Sequence, residues 1–327
     1  MTYSKLAFSK SVDLSKEAHG LGKLTKAIQQ HIIGQKNLIE SLLIGLLCDG
    51  HVLIESMPGL AKTTAAKALA QGVDGEFHRI QFTPDLLPSD LIGTDVFNQA
   101  TQEFTFKKGP VFHNIILADE INRAPAKVQS ALLEAMEEKQ ITVGLASYKL
   151  PEMFMVVATQ NPIEQEGTYN LPEAQLDRFL LHVVLDYPTH AEELEIINLD
   201  QPTMILEKTS QEEVLAAREI VKNVYVDDKL KDYIVSMVQA TRNPHLYSKE
   251  LATWISHGAS PRAAKAALHC AKAYAWLCGD EYVLPEHIQV MWANILRHRI
   301  ALSFEAQADG ISKDHVITTL LKVVAIP

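Results

Sequence analysis

Between residues 51 and 185 the chain alternates short, nearly continuous apolar runs with stretches whose apolar residues recur at helical spacing. Such runs suit strands covered on both faces, and the alternation predicts crossover helices over a mostly parallel sheet. Strands are expected over 51–55, 77–82, 114–118, 154–159 and 181–185. Two further pairs, 94–97 with 104–107 and 141–144 with 148–150, show period-2 alternation around polar tips and read as hairpins inserted into the α/β pattern. Their position beside the motifs below marks them as working loops.

After Tyr187-Pro188 the β character ends, and helices are expected over 191–198, 211–221, 228–241, 261–278 and 285–301. A boundary near Pro188 therefore divides an α/β domain over 1–188, opened by a helical segment, from an all-α domain over 189–327. No Gly/Ser linker or low-complexity tract separates them, so contact between the domains is expected rather than a flexible tether.

Composition narrows the class. Hydrophobic residues are 47% and charged residues 21%, as in ordinary globular proteins. The longest apolar run, Leu42 to Cys48 broken by Gly45, falls short of the ~20 residues that span a bilayer. Met1 to Lys10 lacks the apolar core of a secretory signal, so a cytoplasmic protein is expected. Cys48, Cys270 and Cys278 are widely spaced with no CxxC pair and read as structural thiols. The 13 histidines show no HExxH spacing and read as packed or solvated rings. Forty acidic against thirty basic residues give a net charge of −10, which disfavours nucleic acid as a partner while leaving room for a local basic pore.

The candidate chemistry starts after the first expected strand. Ser56-Met57-Pro58-Gly59-Leu60-Ala61-Lys62-Thr63 is a turn leading into a helix, the context of a Walker A phosphate loop. The backbone from Pro58 to Thr64 would wrap a β-phosphate, with the N–H groups of Gly59, Leu60, Ala61, Lys62, Thr63 and Thr64 as donors. Lys62 would reach the β/γ oxygens, and the Thr63 hydroxyl would hold Mg²⁺. The match to GxxxxGK[ST] is partial, because Ser56 and Ala61 stand where the outer glycines would be.

A second motif completes the site. Ile115-Ile116-Leu117-Ala118-Asp119-Glu120 sets two carboxylates at the carboxyl end of a buried strand, where open α/β sheets bind ligands. Asp119 suits the Mg²⁺ shell and Glu120 suits general-base work on water. Alone, the pair would read as a solvated strand end; following the phosphate loop in order, it makes an ATP site strongly preferred. The next helix carries Pro125 in its first turn and a core stripe of Val128, Leu132 and Met136.

Three polar residues complete the set. Asn161, in Gln160-Asn161-Pro162 at a strand end, can orient the lytic water, although an Asn-Pro turn is the plainer alternative. Arg178, in Asp177-Arg178-Phe179 before the last strand, reads as an arginine finger acting on a neighbouring subunit. Arg262 follows Ser260-Pro261 at a helix start, where a cation opposes the helix dipole by ~0.3–1 kcal/mol, a cost that makes sense if both face an anion. It is the candidate for carrying the helical domain to the nucleotide.

The stretches Phe82-Thr83-Pro84-Asp85-Leu86-Leu87-Pro88-Ser89-Asp90 and Ala158-Thr159-Gln160-Asn161-Pro162-Ile163-Glu164-Gln165-Glu166-Gly167-Thr168-Tyr169, continued by Leu171-Pro172-Glu173-Ala174-Gln175-Leu176-Asp177-Arg178-Phe179, resemble the MoxR family of AAA+ ATPases. The resemblance covers nearly the whole chain. It implies a P-loop NTPase core followed by a helical lid, with Ala61 a normal variant of the phosphate loop and Ile33-Gly34 the adenine-contacting segment. The hairpins correspond to insertions that face the ring pore in relatives. Departures from the family pattern are Ser56 for the first glycine, Asn170 for a common proline, and Asp280 where a basic residue is frequent. The family implies a ring, often a hexamer, that remodels, matures or inserts metal into protein clients, often beside a partner with a von Willebrand factor A domain. A DNA-remodelling motor, with Lys107, Lys108 and Lys149 as its footing, and a nucleotide-gated scaffold without turnover are the alternatives.

Overall fold

A computed structural model describes residues 21–29, 32–100, 102–144, 146–162, 167–198 and 208–327. Met1–Lys10, Ile163–Glu166 and the hairpin-tip positions 101 and 145 lie outside the described residues. The described chain forms two compact units, Lys23–Leu215 and Ala216–Pro327.

The first unit opens with helices α1 (Gly22–Gln29) and α2 (Lys36–Leu47). It continues through β1 (Val52–Ser56), α3 (Lys62–Gly72), β2 (Phe77–Gln81), α4 (Pro88–Ile92), the hairpin β3 (Gly93–Asn98) and β4 (Glu103–Lys108), and β5 (Ile115–Asp119). Then come α5 (Ala126–Glu138), the hairpin β6 (Gln140–Val143) and β7 (Ala146–Lys149), β8 (Met155–Gln160), α6 (Glu173–Leu176), β9 (Leu181–Leu185) and α7 (His190–Ile197). The five-stranded sheet has the order β2-β5-β8-β1-β9 and every pairing in it is parallel. β5 is buried at all five positions, as a strand covered on both faces should be. β2 lies at the edge and carries Arg79 and Gln81 on its more exposed side.

The core gathers Leu53, Phe82, Ile116, Leu132, Phe154, Val156 and Phe179, all essentially solvent-free. His51 is built into the sheet: its Nδ1 accepts the Val156 N–H (3.0 Å), so its Nε2 carries the proton and donates to the Met136 carbonyl (3.3 Å). The two hairpins are tied together by Phe106 of β4, which stacks on Tyr148 of β7 at 4.1 Å between centroids. At the free end of β3 and β4 the paired Phe97 and Phe104 are exposed.

This unit runs past Pro188 to Leu215, because the following chain stays bonded to it. The Glu192 carboxylate lies against Gly34, the Thr209 N–H donates to the Gly72 carbonyl (2.8 Å), and the Gln211 amide donates to the Asp74 carbonyl (3.0 Å).

The second unit begins within α8 (Gln211–Lys222) and adds α9 (Asp228–Arg242), α10 (Lys249–Trp254), β10 (Ile255–His257), α11 (Pro261–Cys278), α12 (Pro285–Leu296), β11 (Ala301–Leu302), α13 (Phe304–Ala308) and α14 (Lys313–Val323). The helix expected over 285–301 stops at Leu296, because Ala301 and Leu302 leave it to pair antiparallel with β10. The unit is thus helical except for this two-stranded ribbon. Among the described residues no helix is long and apolar enough to cross a membrane.

Candidate functional site

The turn after β1 turns sharply enough to need left-handed backbone twice, at Gly59 (φ 86°) and at Ala61 (φ 55°, ψ 19°), which sits at the N-cap of α3. No side chain caps that helix, and no acid occupies its first turn. The first N–H groups of α3 and its positive dipole end therefore face outward around Lys62, Thr63 and Thr64, the arrangement that binds anions. Lys62 folds back over the turn to the Ser56 carbonyl (3.4 Å). Ser56 is accommodated in place of a glycine because its side chain is buried and its hydroxyl donates to the Met57 carbonyl (3.1 Å).

Parallel pairing brings three strand ends to one edge of the sheet. β8 lies between β5 and β1, so Asn161, buried just beyond β8, emerges between the acid pair and the phosphate loop. Asp119 closes β5, and Glu120 follows in left-handed backbone (φ 57°, ψ 50°), a strained conformation for a residue other than glycine. Thr159, fully buried on β8, stabilises that turn. Its hydroxyl donates to Asp119 Oδ1 (2.6 Å) and accepts the Glu120 N–H (2.9 Å).

Arg79 donates from Nε and Nη2 to Asp119 Oδ2 (3.0 and 2.6 Å). The same Nη2 reaches Gln81 Oε1 (2.9 Å), and the Gln81 amide donates to Glu120 Oε2 (2.7 Å). Arg123 pairs with that Oε2 at 3.1 Å. Ile33 and Gly34 precede α2. Gly34 has φ 76°, a left-handed backbone that favours glycine, and a Cβ there would make the Glu192 carboxylate move aside.

Arg178 lies elsewhere. It precedes the first residue of β9 by three, whereas the phosphate loop follows β1, and these strands run parallel with Val52 beside Leu181. The two groups therefore lie at opposite sheet edges, separated by roughly 15 Å of strand. Arg178 Nε donates to Glu137 Oε2 at 2.6 Å. The pair lines a cleft of about 600 Å³ with Glu134, Glu138 and Gln140.

In the second unit Arg262 occupies the first turn of α11, where Ser260 caps its N–H (3.2 Å). The preceding loop is fastened to α9: the Thr241 hydroxyl accepts the Ala259 N–H (2.9 Å) and Arg242 Nε donates to the Ala259 carbonyl (2.7 Å).

Residues 51–181 match the family described as "ATPase family associated with various cellular activities (AAA)", and residues 250–320 match the AAA lid domain. The chain is 45% identical to "Chaperone MoxR1" of Mycobacterium tuberculosis over 96% of its own length and 84% of the relative's. It is 43% identical to "Uncharacterized protein YeaC" of Bacillus subtilis, over 94% and 95% of the two chains. A crystallised candidate ATPase of Cytophaga hutchinsonii superposes with a TM-score of 0.88 at 48% identity, covering 94% of this chain and 95% of the other. The chain belongs to the MoxR family of AAA+ ATPases.

As a MoxR-family ATPase the protein binds nucleotide and hydrolyses ATP. Reading its motifs alone misses Arg79, Gln81, Arg123 and Thr159. A weak signal existed in Arg79 and Gln81, two polar residues at i and i+2 on one face of an expected strand. Strand order, which sets Gln81 beside Asp119, was not in that signal.

Among the described residues, one ligand-like cluster belongs to the second unit of this MoxR-family chain. Cys278, Asp280 and His287 bring a sulfur, an oxygen and a nitrogen within 4.8 Å of one another. His287 Nδ1 accepts the Leu284 N–H (3.1 Å), which puts the ring proton on Nε2, facing Asp280 Oδ2 at 3.2 Å. The bond at Nδ1 caps the first turn of α12. Asp280, one of the departures from the family pattern, thus has a local structural partner.

Proposed function

We propose that the protein is a ring-forming ATPase, a hexamer in its working form, that couples hydrolysis at subunit boundaries to remodelling of a protein client in the cytoplasm. The observation that carries this reading is the separation of Arg178 from its own phosphate loop by the length of the strands. An arginine so placed can serve a phosphoryl group only on a neighbouring copy.

In this reading the backbone from Pro58 through Gly59, Leu60, Ala61, Lys62, Thr63 and Thr64 cradles the phosphates, and Ile33 and Gly34 face the base. Glu120 polarises the attacking water, Asn161 orients it, and Arg262 carries the lid toward the nucleotide. Thr63 and Asp119 offer a hydroxyl and a carboxylate, hard oxygen donors that fit magnesium. When bound, that ion supplies Lewis-acid stabilisation of phosphate charge.

Chaperone-like action is supported by the name of the mycobacterial relative and by the exposed Phe97 and Phe104, an apolar grip for unfolded chain. Clients whose maturation includes metal insertion, and a partner bearing a von Willebrand factor A domain, follow from the family resemblance.

The test mixes subunits. Arg178→Ala and Glu120→Gln proteins, each inactive alone, should regain part of the ATP turnover when combined, because some boundaries then hold one intact half-site from each copy. Absence of rescue at every mixing ratio would overturn the shared-site reading.

A further inference from the structure

Asp119 has the features of a residue shared between two cations. It is 9% exposed at the end of β5, and each of its oxygens already has a donor. Oδ1 takes the Thr159 hydroxyl at 2.6 Å, and Oδ2 takes two bonds from Arg79. Arg79 comes from the edge strand β2, where Arg79 pairs in register with Leu117, two residues before Asp119. Its side chain is 49% exposed, so the guanidinium can swing into solvent without opening the core.

We propose that Arg79 competes with the divalent cation for Asp119 and thereby sets how tightly the site takes that ion. The inference rests on the reading of Asp119 as the residue that serves the cation. Electrostatics gives the direction. Beside the guanidinium, Asp119 presents a neutral pair instead of a full negative charge, and an arriving divalent ion meets a fixed positive group bonded to the oxygen it needs. A free ion therefore gains little at Asp119. An ion delivered on a triphosphate brings negative charge of its own, which offsets the guanidinium, so Arg79 favours the metal–nucleotide complex over the bare metal.

A single oxygen, Oδ2, accepts from both Nε and Nη2 of Arg79. A shorter ammonium could keep the charge but not both bonds, and a neutral amide could keep one bond but not the charge. Variants at position 79 therefore separate the two contributions.

The experiment measures Mn²⁺ binding by electron paramagnetic resonance to the full-length protein loaded with a non-hydrolysable ATP analogue. Arg79→Gln should lower the Mn²⁺ dissociation constant about three- to tenfold, the range expected when a half-exposed, solvent-screened contact worth about one ordinary hydrogen bond stops competing. Arg79→Lys should fall between it and the parent. Asp119→Asn should weaken Mn²⁺ binding, and in that background Arg79→Gln should change nothing further. Unchanged or weaker Mn²⁺ binding by Arg79→Gln, with Asp119→Asn behaving as expected, overturns the competition while leaving the assignment of Asp119 intact. Mn²⁺ binding that is indifferent to Asp119→Asn overturns the assignment itself, and the competition with it. Thermal melts of each variant confirm that the fold is kept, which the half-exposed position of Arg79 favours.

Discussion

The Gln81 amide nitrogen stands 2.7 Å from Glu120 Oε2, and the Arg123 guanidinium stands 3.1 Å from the same oxygen. Two donors on one carboxylate oxygen hold the proposed general base toward the edge strand. A base that must polarise water has to give up part of that hold. Gln81→Ala is therefore expected to raise basal ATP turnover of the purified protein about two- to fivefold, the effect of removing one modest bond from a partly solvated charged group. Steady-state phosphate release reads this directly. A fall in kcat would mean that Gln81 assists Glu120 in the reactive arrangement instead of restraining it.

Thr159 tests the turn beneath the acid pair. Its hydroxyl is solvent-free and serves Asp119 and the Glu120 N–H together. Thr159→Val keeps the shape but leaves that N–H without its acceptor in a strained left-handed turn. The expected loss is about 1–3 kcal/mol in urea unfolding, and Thr159→Ser should recover most of it. Equal stability of the Val variant and the parent would show that the hydroxyl is dispensable.

The five sheet strands were legible because each is a continuous apolar run, and their ends fall within a residue of expectation at 52–56, 77–81, 115–119, 155–160 and 181–185. The ribbon β10–β11 was not, since three and two residues carry no period, and Ile300 continues the helical pattern beyond Leu296, where the helix ends before Ala301 pairs with His257. The phosphate loop and acid pair announce themselves through residue types that few other contexts require. Arg79 and Gln81 do not, because their meaning depends on β2 lying beside β5. That adjacency is decided by long-range packing, to which local periodicity is blind. Thr159 was hidden for the same reason: inside an apolar strand a threonine reads as β-branched filler until its neighbour is known to be the acid strand.

Glu40 gives a prediction in pH. It lies on α2, 3% exposed, and burial pushes its carboxyl up from an ordinary 4.5 to about 7, with Lys36 at 3.7 Å lowering it in part. The folded protein thus binds this proton more tightly than the unfolded chain does. The stability it contributes is present below pH 4.5 and is lost progressively as pH rises through about 7. Glu40→Gln removes the titration. The variant should exceed the parent by about 2–3 kcal/mol near pH 8 and by much less near pH 5. Urea midpoints at the two pH values check it, and a gap that does not change with pH would mean that Glu40 is charged at neither or at both.

Gly258 controls where α11 begins. A Cβ at that position would stand 2.5 Å from the Thr241 carbonyl oxygen and 2.7 Å from the Arg242 nitrogen, both backbone atoms that cannot yield by a rotamer change. The close approach exists because Thr241 and Arg242 fasten Ala259 to the end of α9, and that fastening sets the first turn bearing Arg262. Gly258→Ala must push the loop off α9, loosening bonds that are otherwise satisfied. The cost should be about 1–3 kcal/mol in unfolding experiments, the range for inserting a methyl where none fits. With Arg262 displaced, the apparent KM for ATP should rise as well. Thr241→Val separates the two effects: it removes the hydroxyl that holds Ala259 without adding bulk, so a shared rise in KM would trace the defect to the position of the loop. An alanine variant as stable as the parent, with unchanged KM, would show that α9 and the loop can part without moving Arg262.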